Sequence, residues 1–525
     1  MKISTTLLAG LLVVGFAAAA SAQTHLYFAG STAYRAPVTR AIQDVLGKYT
    51  VAYDPGSPAT KTLYSTGNAI ISGTLQYGAS AGQWVIIKTD WTGSAAGLVD
   101  VSSGTVDTFM ADSNLTGLTP GASGTNAIHS FATDPETPNV TMSDSFLSSV
   151  VKSIATATTG GASFSKTVNN ANLDGAGTEA EGVDGVVGII PFEWLAGAQT
   201  SGSAPFTNMT QEAAAALEST GYVSVNQLGL SSTTDYLFLI GRNEDSGTRI
   251  AAQAEAQLGS AAGSASFGKP MTQYYAAFKT VTAASVSNDK TFTNSVLVQG
   301  SNTIETGGTG TTVVDIMPWP ANQEVNTETA LSWSANGHSG QVSGGDVASM
   351  LEATCSNTLP ITIGTSTSNT PTADFVSGRP GNWVTGTSKA YLVGYIGLAD
   401  AGGIPTSSTT VALSYNGVPY SPANILSGAY TFWAFEHMYY PDAMAGTVAG
   451  NTADTIADTL LDGIGGTVTN PTTGIGTTNG DAQTNNNGIT DPNSPPTITP
   501  SVAGILNNSK ALFTRNAEGY PLGFH

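Results

Sequence analysis

The feature that most restricts the fold of this chain is a segment at residues 236–258 that passes from an apolar strand through a polar turn into a helix. Tyr236–Ile240 is a short apolar run typical of a buried strand, and apolar residues recur at helical spacing after residue 249. The intervening turn, Arg242–Thr248, contains an arginine and a Ser-Gly-Thr sequence. Backbone N–H groups and the positive end of a helix dipole converge at such a helix start. The turn therefore predicts a site for an oxyanion.

Two earlier segments have the same strand–turn–helix order. The strand His25–Ala29 is followed by a Gly-Ser-Thr turn and a helix, and Trp84–Lys88 is followed by a turn that ends at Ser94. Strands that alternate with helices indicate an α/β protein with open sheets. Ligands of such sheets bind beyond the carboxyl ends of the strands, where these turns can converge. Serine and threonine are also common N-caps, so capping alone is the alternative interpretation of each turn.

The charge of the chain excludes several classes of partner. Its 525 residues include 17 Lys and Arg against 37 Asp and Glu, which gives a formal net charge of −20. A chain this negative is not expected to bind DNA, RNA or an anionic membrane surface. Only 10% of the residues are charged and 40% are hydrophobic, so a large core is available. A bound anion would have to be held by local geometry against the overall field.

The N-terminus has the three parts of a secretory signal peptide. Lys2 provides the positive charge, Leu7–Ala20 the apolar run, and the Ala-Ser-Ala sequence that ends at Ala22 the cleavage site. We therefore predict a signal peptide over 1–22 and an exported protein, periplasmic or extracellular. No cysteine lies near the cleavage site, which argues against a lipid anchor, and the single Cys355 cannot form an internal disulfide. No later segment is apolar enough to span a membrane.

Two further helices and three irregular segments complete the predicted organisation. Thr210 is the expected N-cap of an alanine-rich helix that ends near Gly221, and another helix is expected after the Gly-Gly-Asp sequence 344–346, running to about Ala353. The irregular segments are a β-rich region over 280–330, a loop or insert over 356–388, and a flexible low-complexity insert over 446–500 with a weak helical patch near 456–461.

Signals for an enzyme or a metalloprotein are weak. Gly78–Gly82 fits the G-x-S-x-G pattern around Ser80, but it precedes a strand instead of joining a strand to a helix. The five histidines show no metal-ligand spacing, and 481–488 lacks the end residues of a calcium loop. The aromatic residues of 430–440 could form a carbohydrate platform, but their Thr, Ala and Met neighbours favour a buried strand. We therefore predict a non-catalytic protein without a metal or cofactor.

Four segments, in the same order along the chain, resemble the ligand-binding turns of periplasmic phosphate-binding proteins of ABC transporters. They are Ala29–Ala33, Gly93–Gly97, Met142–Ser145 and Arg242–Thr248, and the later Val393–Gly397 is similar to a strand of that family. The resemblance covers most of the chain, and the Arg-to-Thr turn is its most specific part. It implies an α/β fold of the type II periplasmic-binding class with β-rich and loop insertions, in which two lobes joined by crossover strands close on phosphate.

The resemblance also implies roles for particular residues. Asp144 would accept the proton of a protonated phosphate and repel sulfate, which has no proton to share at neutral pH, and Asp134 is a nearby alternative. Glu244 would pair with Arg242 and orient it. Glu244 and Asp245 stand where the family has Asp and Gly, which adds a carboxylate beside the anion. The implied hydrogen-bond donors to phosphate are Ser31, Thr32, Ala33, Ser94, Arg242, Ser246, Gly247 and Thr248.

By the same resemblance, the first lobe would combine residues 23–190 with 430–525, and the second would span 191–429. The expected function is that of an exported solute-binding protein that clamps an inorganic oxyanion, phosphate first, with an ABC transporter permease as its partner. Two alternatives stay open. A secreted surface or matrix protein could keep this scaffold and lose the ligand, which the low charge and the Gly/Thr/Asn-rich loops also favour. An extracellular hydrolase would depend on Ser80.

Overall fold

The structure of the protein is a computed structural model. Several predicted segments lie outside the residues that it describes, including the signal peptide 1–22, most of the β-rich region, the loop 363–388 and the calcium-like 481–488. The described residues are 23–56, 61–118, 125–150, 173–176, 185–197, 207–226, 228, 236–243, 245–258, 273–280, 312–318, 324–327, 330–332, 340–341, 343–355, 361–362, 389–401, 410–463, 467–469, 476–478, 513–514 and 523–524.

The described helices are short to medium in length, and none of them is long and apolar enough to cross a membrane. Two 3₁₀ turns also occur in the described part, at Asp112–Leu115 and Asp442–Met444. The α-helices are α1 (Arg35–Val45), α2 (Ser94–Ser103), α3 (Gln211–Thr220), α4 (Gly247–Glu255), α5 (Gly344–Cys355), α6 (Leu398–Ala401), α7 (Pro422–Leu426) and α8 (Val448–Gly463).

The described strands alternate with these helices along the chain. They are β1 (Thr24–Gly30), β2 (Leu46–Tyr53), β3 (Asn68–Leu75), β4 (Trp84–Asp90), β5 (Asp107–Met110), β6 (Thr125–Ala127), β7 (Thr133–Glu136), β8 (Val140–Ser143), β9 (Leu173–Gly175), β10 (Val186–Ala196), β11 (Asn208–Met209), β12 (Tyr222–Ser224), β13 (Tyr236–Ile240), β14 (Tyr274–Thr280), β15 (Thr312–Pro318), β16 (Glu324–Thr327), β17 (Ala330–Ser332), β18 (Ile361–Thr362), β19 (Lys389–Gly397), β20 (Val411–Ala412), β21 (Ser414–Tyr415), β22 (Trp433–Pro441), β23 (Thr467–Thr469), β24 (Gly476–Thr478), β25 (Phe513–Thr514) and β26 (Gly523–Phe524).

Within the described residues, fourteen strands form one large mixed sheet. Its order is β12-β13-β19-β10-β22-β8-β1-β4-β3-β2-β6, and β9, β18 and β20 pair beside this path. The long strands β10 and β22 are antiparallel neighbours at its middle, with Ile189 opposite Phe435. On one side of this pair β1 is parallel to β4 and β8, and on the other side β13 is parallel to β19. The α/β class predicted from the sequence is confirmed.

The aromatic residues of 430–440 belong to the core, as predicted. Every residue of β22 except its last, from Trp433 to Tyr440, is buried. Phe432 packs against Phe192 of β10 with ring centroids 5.4 Å apart, and Trp433 meets Phe435 edge-on at 5.2 Å. A strand buried on both faces loses the polar alternation of a half-exposed strand, which explains its continuous apolar sequence.

The two helices predicted from caps and glycines are confirmed. The Thr210 side chain accepts a hydrogen bond from the N–H of Ala213 at 3.1 Å, which caps α3, and Gly221 ends that helix with φ of 78°. The helix predicted after 344–346 is α5, which begins already at Gly344 and extends two residues beyond Ala353. Local sequence was sufficient to place both helices.

The flexible insert predicted over 446–500 is wrong at its start, because Val448–Gly463 form α8. The helix packs on the core beside α1. Its threonines turn their hydroxyls back to the helix backbone, as Thr452 Oγ1 does to Val448 O at 2.6 Å, so a polar composition is compatible with a buried helix. The buried apolar positions, spaced by three and four residues as one helix face requires, are Ala453, Ile456, Ala457 and Leu460.

Candidate functional site

Two sets of strand ends face each other beside β10 and β22. Ser143, the last residue of β8, lies opposite His437, which is itself opposite Val186 near the start of β10. Gly397, the last residue of β19, lies opposite Phe192 farther along β10. Because β8 and β19 run in opposite directions, their carboxyl ends point towards each other. Strands β1 and β4 lie on the same side as β8, and β13 lies on the same side as β19. The turns that follow β1, β4 and β13 therefore meet between the carboxyl ends of β8 and β19, in a region that we call the junction.

Capping explains one of the three hydroxyl-bearing turns. Ser246 is the N-cap of α4, and its side chain accepts a hydrogen bond from the N–H of Arg249 at 3.3 Å. The starts of α1 and α2, both in the described part of the chain, have no side-chain cap bond. Ser31 and Ser94 make other contacts instead. The capping interpretation therefore holds for Ser246 and not for the other two serines.

Asp144 is the residue at which three of the predicted donors meet. It follows β8 directly and is 2% exposed. Its Oδ1 accepts a hydrogen bond from Ser94 Oγ at the start of α2, and its Oδ2 accepts one from Thr248 Oγ1 in the first turn of α4 at 3.0 Å. Gly247 is equally close, because a Cβ at that position would overlap Asp144 Oδ1. The structure thus brings four of the predicted site residues together.

Burial and hydrogen bonding shift the pKa of Asp144 in opposite directions. Burial raises the pKa of its carboxyl, whereas the hydrogen bonds from Ser94 and Thr248 and the charge of Arg242 lower it, and the effect of burial prevails. A raised pKa makes a carboxylate a stronger acceptor for the proton of a neighbouring oxygen. This property suits the role of proton acceptor that the resemblance implies for Asp144.

Arg242 approaches the junction from the end of β13 and is 2% exposed. Its Nε donates a hydrogen bond to the carbonyl of Gln341 at 3.2 Å. Burial lowers the pKa of the guanidinium, and the carboxylates of Asp400, Asp144 and Asp346 act against that effect. Arg242 is therefore a buried cation whose charge reaches Asp144.

Of the two acidic residues that follow Arg242 in the turn, the structure describes only Asp245. Glu244, the predicted partner of Arg242, lies outside the described residues. Asp245 is buried, its carbonyl accepts a hydrogen bond from the N–H of Ala95 at 2.9 Å, and its charge acts on Arg249. A second buried arginine thus balances the carboxylate that the sequence adds beside the predicted anion.

Ser31, Thr32 and Ala33 enter the junction from the end of β1, and all three are buried. The Ser31 hydroxyl donates to Glu436 Oε2 at 3.4 Å, so it contacts a carboxyl other than Asp144. Ala33 lies against the end of β19, because a Cβ at Gly397 would be 3.0 Å from the Ala33 Cβ. The first turn therefore touches both sides of the junction.

Glu436 is a candidate site residue that the sequence analysis missed. Glu436 precedes His437, which pairs with Ser143 across β22 and β8, and the charge of the neighbouring Asp144 acts on its carboxyl. Glu436 is fully buried, and its Oε1 has no hydrogen-bond partner among the described residues. Burial, followed by the charge of Asp144, raises its pKa well above the usual range. The sequence contains one indication of this role, because Glu436 is the single charged residue of the run 430–436.

A second missed contact joins the two sides of the junction. Arg35, the first residue of α1, donates from Nη2 to Asp400 Oδ1 in α6 at 2.8 Å, and both side chains are buried. Asp400 also lies beside Gly344 at the start of α5. Sequence spacing could not indicate this pair, because 365 residues separate its members.

The two alternatives that the sequence left open at Ser80 and Asp134 find no support. Ser80 precedes β4 and accepts a hydrogen bond from Asn451 Nδ2 at 3.1 Å, so it is not at a strand-to-helix elbow. Asp134, the alternative to Asp144, makes an ion pair with Lys88 at 3.2 Å away from the junction. In the part of the chain that the structure describes, no group of three or more acidic, His or Cys side chains could hold a metal ion.

Comparison with known proteins gives distant structural likeness. The chain is similar to an ABC-type phosphate transport receptor from Vibrio cholerae, at 10% identity over 82% of this chain and 93% of that one, with a TM-score of 0.33. It is also similar to PstS from Borrelia burgdorferi, at 10% identity over 82% of this chain and 91% of that one, with a TM-score of 0.27. No protein-family model matches the chain, and no curated protein matches it in sequence.

Proposed function

We propose that the chain is an exported solute-binding protein that clamps an inorganic oxyanion, phosphate first, at the junction. The observation that carries this proposal is the binding of one buried carboxylate, Asp144, by the hydroxyls of Ser94 and Thr248. These hydroxyls belong to helix starts on opposite sides of β10 and β22. Hydroxyls and N–H groups at facing helix starts are the donors that a tetrahedral oxyanion needs.

In this proposal the two sides of the junction are two lobes. The first combines residues 23–190 with 430–525, the second spans 191–429, and β10 and β22 are the crossover strands about which they close. An ABC transporter permease in the membrane is the natural partner of the closed form. The donors to the anion are Ser31, Thr32, Ala33, Ser94, Arg242, Ser246, Gly247 and Thr248, of which Ser94, Gly247 and Thr248 lie against Asp144.

Asp144 selects the anion in this proposal. Phosphate carries a proton near neutral pH that it can donate to the carboxylate, whereas sulfate has none and meets an uncompensated negative charge. Arg242 supplies the buried positive charge that offsets the negative field of the chain. The site would therefore prefer phosphate to sulfate.

Calorimetric titration of phosphate-stripped protein with phosphate and with sulfate tests the proposal. We expect micromolar or tighter binding of phosphate and none of sulfate. Hydrogen bonds to charged groups contribute about 1.5–3 kcal/mol, so Arg242→Ala should weaken phosphate binding roughly ten- to a hundredfold. Arg40→Ala is the matched control, because Arg40 pairs with Asp44 within α1 at 3.4 Å. This control should bind phosphate as the wild type does.

One observation favours a second candidate function, a secreted surface or matrix protein that keeps the scaffold without binding an anion. Asp144 itself satisfies the hydroxyls of Ser94 and Thr248, and the Arg35–Asp400 ion pair joins the same two sides. In that protein the carboxylate of Asp144 would permanently replace the ligand. Absence of heat with either anion would support this candidate and contradict the clamp.

A further inference from the structure

Two buried carboxyls lie on neighbouring strands of the junction. His437 of β22 faces Ser143, the last residue of β8, and Glu436 and Asp144 are the neighbours of that pair along the chain. The charge of Asp144 raises the pKa of Glu436, so the two carboxyls interact. Two negative charges that interact in a buried site repel strongly, so such a pair retains a proton.

The two carboxyls differ in their hydrogen bonds. Asp144 has both oxygens engaged, by Ser94 and Thr248. Glu436 accepts a single bond from Ser31 at 3.4 Å, and no described residue makes a hydrogen bond with its Oε1. A buried polar atom left without a partner costs about 1–3 kcal/mol. Because Glu436 adjoins two candidate ligand residues, a bound anion is a suitable partner for this oxygen.

The groups around Glu436 do not provide a counter-charge. Tyr34, which precedes α1, has its pKa raised by burial and then by the charge of Glu436. His437 points elsewhere, since its ring stacks on Tyr439 and its Nδ1 lies 3.2 Å from the Tyr439 hydroxyl. The charge of Arg242 lowers the pKa of Asp144, the other carboxyl of the pair. In the described part of the chain, Glu436 therefore faces a carboxyl, a serine and a tyrosine, and no cation.

We propose that Glu436 contacts the bound oxyanion and that its Oε1 shares one proton with a ligand oxygen. The free pair of Asp144 and Glu436 holds one proton and one negative charge, and the added charge of the anion draws a second proton from solvent, so that binding takes up one proton. This inference rests on the anion clamp proposed above and makes Glu436 a second specificity-determining residue of that site. No covalent bond is made or broken, because the proton lies between the carboxyl oxygen and the ligand oxygen. The ligand class is an oxyanion that can carry a proton near neutral pH, such as phosphate.

The proton count distinguishes this role from a purely structural one. Phosphate would be titrated into wild type and Glu436→Gln by calorimetry, in buffers of different ionisation enthalpy, between about pH 6 and 8. The glutamine amide can donate a hydrogen bond but does not titrate. We expect wild type to take up about one more proton per phosphate than Glu436→Gln. The Kd of wild type for phosphate should also rise more steeply with pH than the Kd of Glu436→Gln, by up to about tenfold per pH unit.

Glu193→Gln is the matched control. Burial raises the pKa of Glu193 on β10 to about 7, but its charge acts on Tyr420 and Tyr430 instead of the junction. This variant should take up as many protons as wild type. If Glu436→Gln binds phosphate with the wild-type proton count, the inference is overturned, whereas a wild type that binds no phosphate contradicts the clamp itself.

A measurement on the wild type keeps the inference testable if Glu436→Gln does not fold. The infrared difference spectrum on phosphate addition reports the carbonyl stretch of a protonated buried carboxyl. A shift of that band supports proton sharing. A spectrum without a carboxyl change, recorded at saturating phosphate, overturns it.

Discussion

A surface cluster and the junction cluster both gather several carboxyls around few cations, but they differ in how those charges are satisfied. In the surface cluster, Lys88 Nζ lies 2.8 Å from Asp112 and 3.2 Å from Asp134, and the two carboxylates are 44% and 42% exposed. His25 Nε2 completes it at 2.9 Å from Asp112. Each carboxylate has a basic partner and access to water, so both negative charges of this cluster are compensated.

The junction cluster consists of Asp144, Glu436, Arg242 and the ion pair of Arg35 with Asp400, all of them buried. Here Oε1 of Glu436 and Oδ2 of Asp400 have no hydrogen-bond partner in the described part of the chain. The comparison teaches that the number of carboxyls does not mark a site. The junction differs from the surface cluster because its carboxyls are withdrawn from water, and because no cation among the described residues pairs with Glu436.

The pKa directions of the carboxyls in the two clusters are opposite. Burial acts to raise the pKa of Asp112, but the hydrogen bonds and charges of Lys88 and His25 prevail and lower it. Burial instead prevails for Asp144 and Glu436, whose pKa values are raised. The surface carboxylate is therefore stabilised in its ionised form, whereas the junction carboxyls bind a proton more readily than free carboxyls do.

The largest effect should come from breaking the buried ion pair. Arg35→Met removes the ion-pair partner of the buried carboxylate of Asp400, so we expect the free energy of unfolding to fall by about 3–5 kcal/mol in urea denaturation. The double variant Arg35→Met/Asp400→Leu is the control, because replacing both partners by apolar residues should recover most of that loss. A loss below about 1 kcal/mol in the single variant would show that the pair behaves like a surface ion pair.

The next largest effect should follow from filling the space beside Asp144. A Cβ at residue 247 would overlap Asp144 Oδ1 and lie 2.6 Å from Ser145 Oγ, so Gly247→Ala must displace both side chains. Overpacking of this kind costs about 1–3 kcal/mol of stability and should also weaken phosphate binding. Gly67→Ala is the control, since a Cβ there meets nothing within 4 Å. Equal unfolding free energies in the two variants would contradict the close packing of the junction.

The pH dependence of stability should have opposite signs in the two clusters. The pKa of Glu436 is raised on folding, so its contribution is complete below the unfolded value of about 4.3 and is lost as pH rises through the folded value. Wild type should therefore lose stability relative to Glu436→Gln above about pH 5, by about 1.4 kcal/mol for each unit of raised pKa.

The surface cluster should lose stability at the other end of the pH range. The pKa of Asp112 is lowered on folding, so its contribution is present above the unfolded value of about 3.9 and is lost as pH falls through the folded value. Urea denaturation of wild type, Glu436→Gln and Asp112→Asn at several pH values measures both trends. Parallel pH profiles for all three proteins would contradict the distinction between the clusters.

Local sequence patterns predicted the elements of the fold well where one segment contains the whole signal. The caps of α3 and α4, at Thr210 and Ser246, depend on residues three positions away and could be identified from the sequence. Helix α8 was predicted only as a weak helical patch near 456–461, because half of its buried apolar positions are alanine and its threonines resemble those of a loop. Composition is a poor guide where hydroxyls bond to their own helix.

The site was predictable only in part, because its contacts are long-range. Ser94, Asp144 and Thr248 were identified as separate turns, and the structure shows that they touch. Glu436 was visible as one charge in an apolar strand, but its position beside Asp144 depends on the register of β22 with β8. No local pattern encodes that register when almost three hundred residues separate the two strands.

The smallest effect should come from the surface cluster, and it provides the reference for the others. Asp134 is 42% exposed and Lys88 keeps Asp112 as a partner, so Asp134→Asn should lower the free energy of unfolding by less than about 1 kcal/mol. Salt should reduce this difference further, because exposed charges are screened. Urea denaturation at low and high ionic strength measures both effects. A loss comparable to that of Arg35→Met, unchanged by salt, would mean that burial of Lys88 makes this cluster as costly to disturb as the junction.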